Sequence, residues 1–133
     1  MTFDVTYDRR VRYSDSDAQG IVFNPTYLVY WDDTLTDWIA TRGISWQDVH
    51  ERGFELVLAH TEIDYRASAR IGDTVRTGVR LERVGRTSMT FAYRSWDPGS
   101  DRTFVEGRQV QVVVDATTFT PVDVPDFLAE RST

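Results

Sequence analysis

The chain has 133 residues, 41% of them hydrophobic and 27% charged, which is ordinary globular composition and excludes a disordered or low-complexity chain. At roughly 150 residues per domain there is room for one domain, residues 1–133, large enough to bury about two-thirds of the surface of its unfolded chain. The net charge is −6, all fifteen basic residues are arginine, and there is no cysteine. Disulfides, thiolate metal sites and cysteine nucleophiles are thereby excluded. The acidic balance argues against a nucleic-acid partner, while a small phosphorylated ligand held by a few local arginines stays possible. No stretch approaches the ~18 apolar residues of a membrane span, and Met1-Thr2-Phe3-Asp4 opens no secretory signal. A cytoplasmic protein with no membrane segment is the expectation.

In chain order, residues 3 to 13 alternate loosely through Phe3, Val5, Tyr7, Val11 and Tyr13 and predict a first strand. A polar turn, Ser14 to Gly20, and a short apolar run, Ile21-Val22-Phe23, follow. Asn24-Pro25 predicts a helix start, with Asn24 as the capping residue and proline at the first helical position. Tyr27, Trp31, Leu35, Trp38 and Ile39 then recur at helical spacing and make one aromatic face, opposite Asp32, Asp33, Thr36 and Asp37. The helix is expected from about Pro25 to Arg42, with Gly43 as its stop. Ser45-Trp46-Gln47-Asp48 reads as a capping box for a short second helix ending near Gly53, with Asp in the place where Glu or Gln is usual.

After Gly53 the period becomes strand-like. Strands are expected at Leu56–Tyr65, Thr74–Val84, Ser88–Trp96 and Thr103–Val114, with a turn at Asp97-Pro98-Gly99-Ser100 and a short helix near Asp126–Glu130. Strands joined by tight connections, with one long helix, predict an α+β fold: an antiparallel sheet carrying helices on one face. One helix cannot cover both faces of five strands, so the other face or a sheet edge is expected to meet a second copy of the chain.

The segment richest in chemistry runs from Arg12 to Tyr27. It sets two carboxylates, Asp15 and Asp17, in a turn just ahead of a helix N-terminus. Free N–H groups there can polarise a carbonyl, and a nearby carboxylate can act as general base or nucleophile on the same group. The same residue types also make ordinary turn and cap chemistry. His60 falls mid-strand, either as a strand residue or as part of a pocket wall. His50, with Glu51 beside it, makes no metal site, and no metal is expected. Arg83 and Arg86 flank Gly85 at a hairpin and suit either phosphate contacts or a solvated tip. Trp31, Trp38 and Tyr27 read as core, and Trp46 as core or pocket.

This segment resembles the signature of the hotdog-fold thioesterases of the 4-hydroxybenzoyl-CoA thioesterase type. The matching positions are Tyr13, Asp15, Asp17, Gly20, Ile21, Val22, Phe23, Asn24 and Tyr27. The likeness continues through Tyr30-Trp31-Asp32-Asp33, Ile63-Asp64-Tyr65, Ile71-Gly72-Asp73, Glu82 to Ser88, Glu106-Gly107 and Val124-Pro125-Asp126. It implies a curved five-stranded antiparallel sheet wrapped around one long central helix, and subunits assembled as dimers or tetramers with acyl-CoA across their interface. It also implies catalysis by Asp17, with the backbone N–H at Asn24 polarising the thioester oxygen and no cofactor. Gly20, Ile21, Val22, Phe23, Tyr27, His60, Arg83 and Arg86 are the expected substrate contacts. Two alternatives stand beside CoA-thioester hydrolysis: a non-catalytic binder of acyl thioesters, and a thioesterase for acyl chains on a carrier protein. The absence of a histidine within the turn counts against a hydratase.

Overall fold

The computed structural model describes residues 2–129. Five antiparallel strands, β1 (Val5–Arg10), β2 (Phe54–Tyr65), β3 (Thr74–Val84), β4 (Ser88–Trp96) and β5 (Thr103–Asp115), form one sheet in the order β1-β3-β4-β5-β2. A long helix, α1 (Thr26–Ala40), packs on one face, followed by α2 (Trp46–Glu51); α3 (Asp126–Ala129) closes the described chain. The expected α+β arrangement is thus present. The end of the last helix at Glu130 lies outside the described residues.

The aromatic stripe of α1 explains why the helix sits where it does. Trp31 is fully buried and stacks flat on Tyr93 of β4, with ring centroids 4.5 Å apart, while its indole N–H donates to Ser95 Oγ at 3.1 Å. Two turns on, Trp38 meets Phe91 edge-to-face at 4.9 Å, and its N–H donates to Asp4 Oδ2 at 3.0 Å. Large rings supply the buried area, and the two indole donors are satisfied rather than stranded, which is what makes tryptophan tolerable in a core. Irregularities at Leu58/His60 in β2 and Leu81/Arg83 in β3 bend the sheet.

Three expectations shift. The first strand ends at Arg10, not Tyr13, because Asp15 is drawn inward and winds Tyr13–Asp15 into a single 3-10 turn. Helix α1 begins at Thr26, with Pro25 rather than Asn24 in the capping position. Asn24 makes no capping hydrogen bond; Pro25 already has helical torsions, and the turn closes through the Thr26 N–H on the Phe23 carbonyl at 2.8 Å. Strand β2 starts at Phe54, two residues earlier than the alternation suggests. The short capping box does form: the Asp48 N–H donates to Ser45 Oγ at 3.1 Å and the Ser45 N–H to Asp48 Oδ2 at 2.9 Å.

Trp31→Ala removes the ring that joins helix to sheet and leaves Tyr93 facing a void. The expected cost is about 4 kcal/mol, read as a lower urea midpoint at unchanged slope.

Candidate active site

The turn before α1 is a small hairpin. The Asp17 N–H donates to the Ile21 carbonyl and the Phe23 N–H to the Asp15 carbonyl, both at 2.9 Å, with Ser16 bridged to Val22. Gly20 makes the reversal at φ +76°, a conformation that strains other residues. A second turn fastens this hairpin from the side: the Val22 N–H donates to the Ala69 carbonyl at 2.9 Å, Ile21 bridges Arg70, and the Ala69 N–H donates to the Tyr27 hydroxyl at 3.1 Å.

The two carboxylates have different environments. Asp15 is buried and accepts from Arg9 Nε and Nη2 at 3.2 and 3.1 Å and from the Arg12 N–H at 3.0 Å. Burial pushes its pKa up, while the hydrogen bonds from Arg9 and the Arg12 N–H and the Arg9 charge pull it down, and the carboxyl sits below the usual range. Beside it lies the Tyr30 phenol, pushed up by its own burial and then by its interaction with the Asp15 carboxylate. Asp17 is only half-buried and has no cation at ion-pair distance among the described residues. Its one hydrogen bond is local, from the Gln19 N–H to Oδ1 at 2.8 Å. Asp15 therefore fastens the turn, and Asp17 is the carboxylate presented to solvent.

Asp17 lies in an open cleft of about 500 Å³ lined by Tyr13, Ser16, Asp17, Ala18, Gly20 and Ile71. At the helix start, the N–H groups of Asn24 and Tyr27 have no acceptor among the described residues, while the Asn24 carbonyl accepts from the Tyr65 hydroxyl at 3.2 Å. One hairpin thus joins a solvent-facing carboxylate to unengaged donors at a helix N-terminus, a pairing suited to acyl transfer. Two further hollows are of similar size. One, of about 480 Å³, lies over β4 and β5, where Arg94 and Arg108 are already engaged by acidic partners. The other, of about 380 Å³, runs between Leu35 of α1, Trp46 of α2 and Leu56 and Leu58 of β2.

The remaining expected site residues divide. Ile21 and Phe23 accompany Asp17, with Phe23 exposed, whereas Val22 and Tyr27 are buried in the core behind the hairpin. His60 is exposed on β2 opposite Val110. Arg83 and Arg86 are at the far end of β3: Thr74 pairs with Arg10 near the candidate turn, and ten residues of strand, about 33 Å, separate it from Val84. Within one chain these arginines do not approach Asp17, and Arg86 is paired with Asp123 at 2.9 Å. Ile71 lines the same cleft as Asp17. Its signal in the sequence is an apolar residue at a turn ahead of Gly72, itself at φ +90°.

Residues 11–132 match the thioesterase-like superfamily over nearly the whole chain. The chain belongs to that superfamily of thioester hydrolases. An acyl-CoA thioester hydrolase, YbgC, of Escherichia coli is 26% identical over 117 residues, 87% of this chain and 86% of its own. A thioesterase from Thermus thermophilus, solved with coenzyme A and Zn, superposes with a TM-score of 0.82 at 28% identity, covering 97% of this chain and 91% of that one. A 1,4-dihydroxy-2-naphthoyl-CoA thioesterase from Synechocystis superposes at 0.85 over 92% and 90% of the two chains, with 21% identity, and so shares the hotdog fold.

The Asp15 pair makes stability pH-dependent. A carboxyl whose pKa falls on folding stabilises the fold above its unfolded pKa, and that contribution is lost as pH falls through the folded value. Asp15→Asn is expected to cost about 2 kcal/mol at pH 7 and to show a shallower loss of stability between neutral and acid pH than the parent, read by urea denaturation at each pH.

Proposed function

We propose that the chain hydrolyses acyl-CoA thioesters, with Asp17 as the reacting carboxylate and the Asn24 N–H as donor to the thioester oxygen. The observation that carries the reading is the difference between the two aspartates. Asp15 is consumed by Arg9 and the Arg12 N–H, while Asp17 keeps a free oxygen facing the cleft. The free carboxylate attacks the thioester carbonyl, or takes a proton from a water that does so. As the C–S bond breaks, CoA leaves as the thiol(ate); on the general-base route the acyl group departs as the acid, and on the nucleophilic route it stays on Asp17 as a mixed anhydride until water hydrolyses it to the acid and the free carboxylate. The charge that develops on the carbonyl oxygen meets the N–H at the helix start, where a preorganised donor of this kind is worth about 10²–10³ in rate. The acyl-CoA substrate is further supported by the naming of YbgC and of the thioesterase solved with coenzyme A.

We further propose a homo-oligomer built on the β2 edge. The sheet has two edges of different character. β1 is six residues long and carries Asp8, Arg9 and Arg10, a charged and short edge that discourages pairing. β2 is twelve residues long, has no strand on its outer side among the described residues, and exposes Val57 and Leu58. An antiparallel partner there brings a second chain's residues toward the groove at Leu35, Trp46 and Leu58, and it is the route by which Arg83 and Arg86 of a second chain could reach CoA phosphates.

Thiol release from a panel of short, long, branched and aromatic acyl-CoAs tests the activity. Asp17→Asn is expected to lower kcat about 10³-fold at unchanged melting temperature, and a variant that keeps its activity would remove Asp17 from the reaction. For the assembly, Leu58→Glu is expected to shift the light-scattering mass of the protein toward the 15.3 kDa monomer; an unchanged mass would place the interface elsewhere.

A further inference from the structure

Asn24 stands between two peptide units that are held in different ways. In the first, between Phe23 and Asn24, the Phe23 carbonyl accepts from the Thr26 N–H at 2.8 Å. A trans peptide is planar, so the Asn24 N–H points to the side opposite that carbonyl, away from Thr26. The second unit, between Asn24 and Pro25, receives no help from the helix. In a regular helical turn the Leu28 N–H would reach the Asn24 carbonyl. Here it donates to the Pro25 carbonyl at 3.0 Å instead.

One side chain takes that place. The Tyr65 hydroxyl donates to the Asn24 carbonyl at 3.2 Å, across 41 residues of sequence, and it is the only partner of that carbonyl among the described residues. Tyr65 is the last residue of β2, and the backbone around it is well anchored. It pairs with Val105 of β5, and the next two N–H groups, of Arg66 and Ala67, both donate to the Phe104 carbonyl, at 2.7 and 3.1 Å. Its ring meets the Tyr27 ring edge-on, with centroids 6.1 Å apart, and Tyr27 is buried in the first turn of α1.

Burial does not force this hydrogen bond. The Tyr65 side chain is 48% exposed, so water could satisfy the hydroxyl, and a phenylalanine would keep the ring contact with Tyr27. The hydroxyl's one described task is the peptide that follows the Asn24 N–H. A donor acts on a developing charge only as far as it is fixed beforehand, and a misplacement of about 1 Å can cost about 10²-fold in rate.

We propose that Tyr65 is a positioning residue for hydrolysis: its hydroxyl holds the Asn24–Pro25 peptide and so fixes the direction of the Asn24 N–H, without itself touching the substrate. The proposal rests on the Asn24 N–H being the donor to the thioester oxygen. It adds a third element, β2, to the hairpin and the helix that build the site.

The test is Tyr65→Phe, which keeps the ring and removes only the hydroxyl. Thiol release is measured on whichever acyl-CoA of the panel the parent hydrolyses fastest. The kcat is expected to fall about tenfold while KM stays within about twofold of the parent. The melting temperature is expected to fall by no more than about 4 °C. Backbone NMR relaxation of the free protein gives a readout independent of turnover. There the order parameter of the Asn24 N–H is expected to drop from about 0.85 toward 0.6, with that of Trp31 in mid-helix unchanged. A rise in KM at constant kcat would make Tyr65 a substrate contact and overturn the proposal. So would an Asn24 N–H as rigid as in the parent, whatever the rate, or a lower light-scattering mass, which would make the residue a subunit contact. A loosened Asn24 N–H with unchanged kcat would overturn the reading of Asn24 as the donor, and the proposal with it. If the parent releases thiol from no acyl-CoA, the thioesterase reading falls, and relaxation still decides whether Tyr65 fixes the Asn24 N–H.

Discussion

A single ion pair decides whether the candidate site exists in usable form. Arg9 lies at the end of the first strand, and Asp15 must come in from solvent to meet it. Bringing a carboxylate inward costs hydration, which only two guanidinium hydrogen bonds and a backbone N–H offset. Once Asp15 is seated, its carbonyl receives the Phe23 N–H, Asp17 is directed outward, and the chain arrives at the start of α1 in a fixed direction. The pair is worth more as a geometric constraint than as a stabilising contact.

The aromatic face of α1 is the counterpart on the core side. Trp31 and Trp38 anchor the helix to β4, so its N-terminus cannot drift relative to the sheet. Tyr27 then ties that terminus to the turn at Ala69, which in turn holds the hairpin. Preorganisation of this kind is what lets backbone donors act on a developing charge without reorganising at the moment of reaction. The exposed carboxylate and the fixed donors are thus supported from opposite sides, one by an ion pair and the other by packing.

The helix and the strands were legible because their signals are local and periodic. The spacing of Tyr27, Trp31, Leu35 and Trp38 leaves little alternative to one buried helical face, and the Ser45–Asp48 box formed even with the shorter acid. The first strand read too long because alternation cannot register that Asp15 finds a cation six residues upstream. The helix cap moved to Pro25 for a similar reason: Asn24 is a good capping residue in isolation, but the turn closes through the Phe23 carbonyl instead. The motif placed Asp15 and Asp17 side by side, and only their surroundings separate the structural one from the available one. Ile71 stands 54 residues beyond Asp17 in the sequence and comes to the cleft only through hydrogen bonds between two turns.

The unequal edges of the sheet also limit growth. A symmetric pairing of two chains along β2 would consume the long apolar edge on both of them and leave a ten-stranded sheet bounded on each side by β1. Those outer edges, short and set with Asp8, Arg9 and Arg10, offer poor templates for a further strand. Association by this route terminates itself, so a protein with an exposed β-edge would remain a discrete particle instead of extending into a fibre.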